Sequence, residues 1–178
     1  GKANNVQSKF RLSDGSITTD KAVVSEHFNN FFIGIGPQLA KDIPKQNLPP
    51  EHYLGDKLIN TIYLQEVTET EIKEIVLGLK NSAPGYDDIT ADILKLSLNY
   101  FISPLAHICN LSIVQGVFPE ELKLANVLPL YKADDPMIFN HYRPVSLLSV
   151  LSKVFEKIMY SRLLNFLETY KFMYINQF

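Results

Sequence analysis

Residues 125–151 read ANVLPLYKADDPMIFNHYRPVSLLSVL. Ala125 to Tyr131 is the best strand candidate of the chain. Pro129 inside it brings no amide donor, which favours a sheet edge or a bulge. Asp134 to Tyr142 reads as a polar loop. Lys132 directly follows the strand, and Arg143 is held between Tyr142 and Pro144 ahead of a helix start expected near Ser146. If the loop folds back as a hairpin, both cations face one pocket. Arg then offers bidentate phosphate binding and Lys a point charge. A helix N-terminus near Leu147 would add donors and a favourable dipole for an anion. The alternative is two surface cations on a loop.

Working outward, Leu147, Leu148, Leu151, Val154, Phe155, Ile158, Met159, Leu163, Phe166 and Leu167 give a broad apolar face to a long helix over about 147–170. Upstream, Ser103 with Pro104 at the first helical position predicts a helix ending at Gly116, a natural C-cap. A separate helix is expected from Ala91 to about Phe101. Thr68 and Glu71 have capping-box spacing, and Val67 and Ile72 form a hydrophobic staple. The helix they start buries Ile72, Ile75, Val76 and Leu79 and stops near Asn81. The turn Ser82-Ala83-Pro84-Gly85-Tyr86-Asp87-Asp88 follows. A first helix runs from about Asp20 to Gly36 on Val23, Val24, Phe28, Phe31, Phe32 and Ile35. Gly34, Gly36 and Pro37 end or kink it, and Leu39, Ala40 and Ile43 could extend it by a turn or two. Ile43 to Ile59 reads as loop or linker. The chain is therefore expected to be α+β, mostly helical, with one or two short strands.

With 178 residues the chain holds one domain, or one and a part. Lys plus Arg is 17 against 19 for Asp plus Glu, a formal net charge of −2. That excludes a module held to nucleic acid by bulk positive charge, though not a local basic site. Cys109 is the one cysteine, so neither an internal disulfide nor a paired-cysteine zinc finger is available. An intracellular setting, nucleus or cytoplasm, is expected. No apolar run approaches the ~18 residues of a membrane span.

Few residues announce chemistry. His27, His52, His107 and His141 are scattered, with no HxxxH or HExxH spacing. Cys109 lies among Ile108 and Leu111 and reads as a buried structural thiol. Gly34-Ile35-Gly36 follows a helix and lacks the third glycine of a dinucleotide loop. Asp87-Asp88 and Asp134-Asp135 can ligate divalent metals through hard oxygens, but adjacent acids also suit turns, where Asp tolerates the geometry and stays solvated.

Several segments resemble the reverse transcriptases of non-LTR (LINE-type) retrotransposons. FPEELKLANVLPLYK at 118–132 is similar to the segment entering their fingers. NHYRPVSLLSVLSKVFEK at 140–157 resembles their YRPISLL…K.FEK block, and SAPGYDDI at 82–89 their SPGPDGI turn. Phe28-Asn29-Asn30-Phe31-Phe32 with Ile35-Gly36-Pro37 resembles a preceding helix, and Asn176-Gln177-Phe178 the start of their NQFGF segment. The order is the family's, from about residue 17 onward. Tyr86 stands where the family has proline and Asp88 where it has glycine, and Asp takes positive φ less readily.

The resemblance implies the fingers and first part of the palm of a right-hand polymerase fold, incomplete. Residues 1–60 would be an N-terminal helical extension with a proline-rich linker, and 61–178 the fingers and start of the palm. Lys132 and Arg143 match the family's contacts to the incoming nucleotide's triphosphate. Ser82, Pro84, Gly85 and Asp87 match the region lying along the template. The family's catalytic aspartates lie beyond the NQFGF segment, so no catalytic or metal-binding residue is expected in this chain. Ala133-Asp134-Asp135 is no substitute: Pro136 follows at once instead of an apolar strand, and the pair precedes the arginine block. Gly1 and Phe178 are expected to be cuts through a longer protein, leaving a segment inactive alone. Mg2+, an RNA template, a DNA primer and dNTP belong to the intact enzyme, with the remaining palm and thumb as partners and no membrane. The competing expectation is a non-enzymatic, retroelement-derived RNA- or protein-binding module.

Overall fold

The computed structural model describes residues 8–44, 48, 49, 52 and 59–173. Most of the expected linker over 43–59, and Asn176-Gln177-Phe178, lie outside them. The chain divides into two compact units: residues 1–55 with 127–145, and residues 56–126 with 146–178.

The second unit is built on three helices, α2 (Glu69–Leu77), α3 (Ala91–Gln115) and α4 (Val150–Thr169). Thr68 caps α2, its hydroxyl accepting the Glu71 amide at 3.1 Å, a contact worth ~1 kcal/mol. The staple is in place, since Val67 and Ile72 are both buried. Only half of the expected capping box forms, because the Glu71 carboxylate is taken by Arg162 through a bidentate pair at 2.5 and 2.9 Å. The Arg162 fork also donates to the Gln65 and Glu66 carbonyls. Its guanidinium is held above the usual range chiefly by the hydrogen bond to Glu71. α2 ends at Gly78, before Asn81. Ile72, Val76, Leu94, Leu98, Val154 and Ile158 form the centre of the core with Cys109.

Where a helix break was expected at Ser103-Pro104, α3 runs unbroken for 25 residues. Pro104 removes the bond that the Tyr100 carbonyl would accept. Tyr100 is 84% exposed, however, so water replaces that partner. Leu94, Leu98, Leu105, Ala106 and Cys109 meanwhile bury one continuous stripe on both sides of the proline. Packing outweighs the local stop signal. Gly116 caps the helix at φ 66 as its sequence position predicts.

The first unit holds a two-residue antiparallel ribbon, β1 (Phe10–Arg11) with β2 (Ile17–Thr18), Phe10 facing Thr18 and Arg11 facing Ile17. An Asp14-Gly15 turn joins them, with Gly15 at φ 85. The Asp14 carboxylate accepts the Ser16 hydroxyl and amide, which hold it below its ordinary pKa. α1 (Lys21–Lys41) is capped by Asp20, which accepts the Ala22 and Val23 amides. It continues past Gly34, Gly36 and Pro37. Its C-terminal half is exposed, so water replaces the bond lost at Pro37.

β3 (Ala125–Tyr131) and β4 (Tyr142–Leu148) form a second two-stranded sheet. Both are edges, which is where Pro129 and Pro144 are tolerated. The helix start expected near Ser146 is therefore displaced: residues 142–148 are strand, and α4 begins at Val150 behind Ser149. No helix among the described residues is long and apolar enough to cross a membrane.

A continuous α3 has a measurable sign. Pro104→Ala should raise stability by about 1–2 kcal/mol in urea titration, the recovered hydrogen bond and relieved clash exceeding the entropy the ring removes from the unfolded chain. Were Ser103 a cap and Pro104 a first helical residue, the change would be neutral or destabilising.

Burial, reinforced by Glu71 and opposed by Arg162, pushes the Cys109 thiol from 9.0 up to about 12. The neutral thiol's contribution is complete below pH 9 and declines as pH rises from about 9 towards 12, because only the unfolded chain ionises there. The stability difference between wild type and Cys109→Ala should therefore shift in favour of the variant across that window. A constant difference would contradict it.

Candidate functional site

Two sets of candidate residues lie in different units, and each is built by its own local constraints.

In the second unit, Ser82 to Asp88 folds into a turn against the start of α4. The Asp88 amide donates to the Gly85 carbonyl at 3.3 Å, placing Tyr86 and Asp87 at the corner. The Ile89 amide donates to Asp87 Oδ1 at 3.2 Å. Asp88 holds φ 56, so the left-handed conformation expected of a glycine is kept by one of the few other residues that tolerate it. Gly85 is required for a different reason. A Cβ there would lie 2.5 Å from the Ser149 nitrogen and 2.7 Å from the Leu148 carbonyl carbon, both backbone.

Two side-chain bonds hold this approach. Ser149, fully buried, donates its hydroxyl to Asp87 Oδ2 at 2.5 Å and accepts the Leu151 amide at 3.1 Å. Lys153 donates to Ser82 Oγ at 2.8 Å. Ser82, Gly85 and Asp87 are thus brought together at the N-terminus of α4, with Pro84 half-buried beside them. The N-terminus itself is closed by Ser149 and Asp87. The open anion site expected near Leu147 is therefore not formed, because that residue is strand and the helix begins three residues past it.

In the first unit, the Lys132 amide donates to the His141 carbonyl at 2.8 Å and closes the β3–β4 hairpin. Lys132, just past the end of β3, thus lies opposite His141, and Arg143 follows two residues later as the second residue of β4. Strand alternation puts Lys132 and Arg143 on one face, diagonal neighbours about 7–8 Å apart. Tyr131 and Tyr142 take the other face, their rings in contact at 5.5 Å. Both cations are exposed, not set in a pocket. Neither makes an ion pair with any described residue.

The adjacent Asp134 and Asp135 are committed to the loop. Asp134 sits at φ 73 with Oδ2 3.9 Å from His141 Nε2. Asp135 accepts the Met137 amide at 2.9 Å and faces Arg11 at 3.8 Å. No three His, Cys, Asp or Glu side chains among the described residues come together as a metal site. An open apolar pocket of about 180 Å³ lies between α3 and α4, lined by Ile113, Phe118, Phe155 and Met159 among others. It carries no convergent polar groups.

Sequence reasoning missed Ser149 and Lys153. A serine just ahead of an apolar-periodic run is itself a helix-start signal, and reading it would have put the α4 boundary in the right place.

The elements and residues together define a mixed α+β segment carrying a paired basic hairpin and a glycine-dependent turn. Comparison with known proteins gives that segment its kin. No protein-family model matches the chain. It is 32% identical over 116 residues to the RNA-directed DNA polymerase from mobile element jockey of Drosophila melanogaster, covering 64% of this chain and 13% of that protein. The Drosophila funebris jockey polymerase is 33% identical over 100 residues, 55% of this chain and 11% of the relative. The probable RNA-directed DNA polymerase from transposon BS of Drosophila melanogaster is 38% identical over 106 residues, 59% of this chain and 11% of the relative. The chain is thus similar to a short part of several RNA-directed DNA polymerases of mobile elements. It spans about an eighth of the length of the jockey relative.

The turn's contact with α4 is testable by stability. Gly85→Ala should cost about 1–3 kcal/mol, since the added methyl meets backbone that has no rotamer to yield. In a double-mutant cycle, Asp87→Ala and Ser149→Ala should be coupled by about 1 kcal/mol or more. Additive effects would mean that the hydroxyl–carboxylate bond holds nothing.

Proposed function

We propose that this chain forms the fingers and first part of the palm of a right-hand polymerase, and that it serves RNA-directed DNA synthesis by gripping the incoming nucleotide and the template. In that reading, Lys132 and Arg143 bind the triphosphate of a dNTP. The single observation that carries it is their arrangement: two exposed cations on one face of a hairpin, unpaired among the described residues. A polyphosphate needs such clamps, because charge spreads over its equatorial oxygens as the phosphoryl group transfers. The guanidinium supplies a planar fork and the ammonium a mobile point charge.

Ser82, Pro84, Gly85 and Asp87 shape the turn assigned to the template side. Their contacts fix the turn's backbone, so their contribution is to present its outer surface, where Tyr86 stands exposed, along an RNA template paired with a DNA primer. Residues 1–60 would be the extension preceding the fingers, and the remaining palm and thumb the partners that complete the enzyme. Mg2+ would neutralise the nucleotide's phosphates in that enzyme. The described residues offer no carboxylate cluster for it, so its ligands would come from the rest of the polymerase.

In the polymerase carrying this segment, Arg143→Ala should raise the KM for dNTP about tenfold, the loss of one charge-assisted contact. Lys132→Ala should do so to a smaller degree. Affinity of the variants for primer–template should stay near wild type. An unchanged dNTP KM in Arg143→Ala would refute the nucleotide assignment and leave a non-enzymatic RNA- or protein-binding module as the better account.

A further inference from the structure

Lys132 and Arg143 each follow a tyrosine that is tied down. Tyr131 donates its hydroxyl to the Asp134 carbonyl at 2.6 Å, and Tyr142 to the Pro136 carbonyl at 2.7 Å. Burial, with Tyr131 and Asp135 nearby, pushes the Tyr142 phenol up and keeps it a donor. The Tyr142 ring packs against Phe28 at 5.1 Å and Phe10 at 5.7 Å. Phe139, in the same loop, meets Phe28 at 4.7 Å and Phe10 at 5.3 Å. The Arg11 amide donates to the Met137 carbonyl at 2.9 Å. The loop from Lys132 to His141 is therefore held from outside by β1 and α1.

A lone two-stranded ribbon is marginally stable in water, and flexible cations lose freedom when they close on a ligand. Fixing them beforehand lowers that penalty. We infer that Phe10 and Phe28 are positioning residues for the incoming nucleotide: the segment from β1 to α1 is a buttress that holds Lys132 and Arg143 in the geometry a triphosphate requires. This rests on the nucleotide assignment above.

The test uses Phe28→Ala, its conservative counterpart Phe28→Leu, and Tyr142→Phe, which keeps the ring and loses only the bond to Pro136. Amide hydrogen exchange over residues 131–143 reads the buttress directly. It should quicken about tenfold or more in Phe28→Ala and return towards wild type in Phe28→Leu. In the polymerase, Phe28→Ala should raise the dNTP KM about tenfold with kcat within about twofold. Arg143→Ala added to Phe28→Ala should raise KM little further, since both changes disable one clamp. Tyr142→Phe should shift exchange and KM the same way to a smaller extent, and it carries the comparison if Phe28→Ala does not fold.

Unchanged exchange in these variants overturns the buttress whatever the fate of the nucleotide assignment. Quickened exchange with an unchanged KM, in an enzyme whose Arg143→Ala variant loses dNTP affinity, overturns the positioning role. A silent Arg143→Ala removes the nucleotide assignment and the inference with it.

Discussion

The second unit turns on a backbone-to-backbone contact. At Gly85 the chain comes so close to Leu148 and Ser149 that no side chain fits between. Such proximity buries peptide groups, and buried peptide groups need partners. Ser149 answers that need from one side by taking the Leu151 amide, and Asp87 from the other by accepting the Ser149 hydroxyl. The carboxylate thus sits at the positive end of α4, where a negative charge is favoured. One glycine, one serine and one aspartate set where α4 starts and how the turn ahead of α3 is held.

The helices illustrate a contest between local signal and packing. Pro104 and the glycine–proline run at 34–37 are strong local stop signals, and both lie inside helices here. At Pro104 the apolar stripe continues across the proline, so breaking the helix would expose more than one hydrogen bond is worth. At Pro37 the flanking backbone is solvated, so the lost bond is replaced by water. Position relative to solvent decides how much a proline matters.

Legibility followed the range of the determining interactions. The Thr68 cap, the Gly116 terminus and the strand Ala125–Tyr131 depend on neighbours within a few residues, and all were readable. The ribbon β1–β2 was also local: Asp14-Gly15 between Leu12 and Ile17 is a hairpin signal that the sequence reading passed over. The start of α4 was local as well, marked by Ser149, whereas the exclusivity of Glu71 was not. Arg162 lies far along the chain from Glu71, and its bidentate grip displaces a capping contact that spacing alone would favour. At the candidate site Lys132 and Arg143 were singled out by their strand-end positions and the family resemblance. Their shared face depended on hairpin register, and the aromatic support beneath them on a segment more than a hundred residues upstream.

Near-neutral net charge and phosphate binding are compatible once charges are sorted by what they already hold. Arg162 is spent on Glu71, Lys123 on Glu120, Lys95 on the Leu79 carbonyl and Lys153 on Ser82. At physiological salt the field of an exposed charge fades over roughly 8 Å, so distant acids scarcely weaken a local cation pair. Of the acids that lie close, Asp135 is engaged by the Met137 amide and Arg11, while Asp134 stays exposed with His141 at 3.9 Å. The local potential at the hairpin is therefore set by two placed cations and their near neighbours and not by the sum over the chain. Under the proposed nucleotide assignment, aromatic support suits such a pair: packed rings fix a backbone without adding a charge that would compete with the ligand.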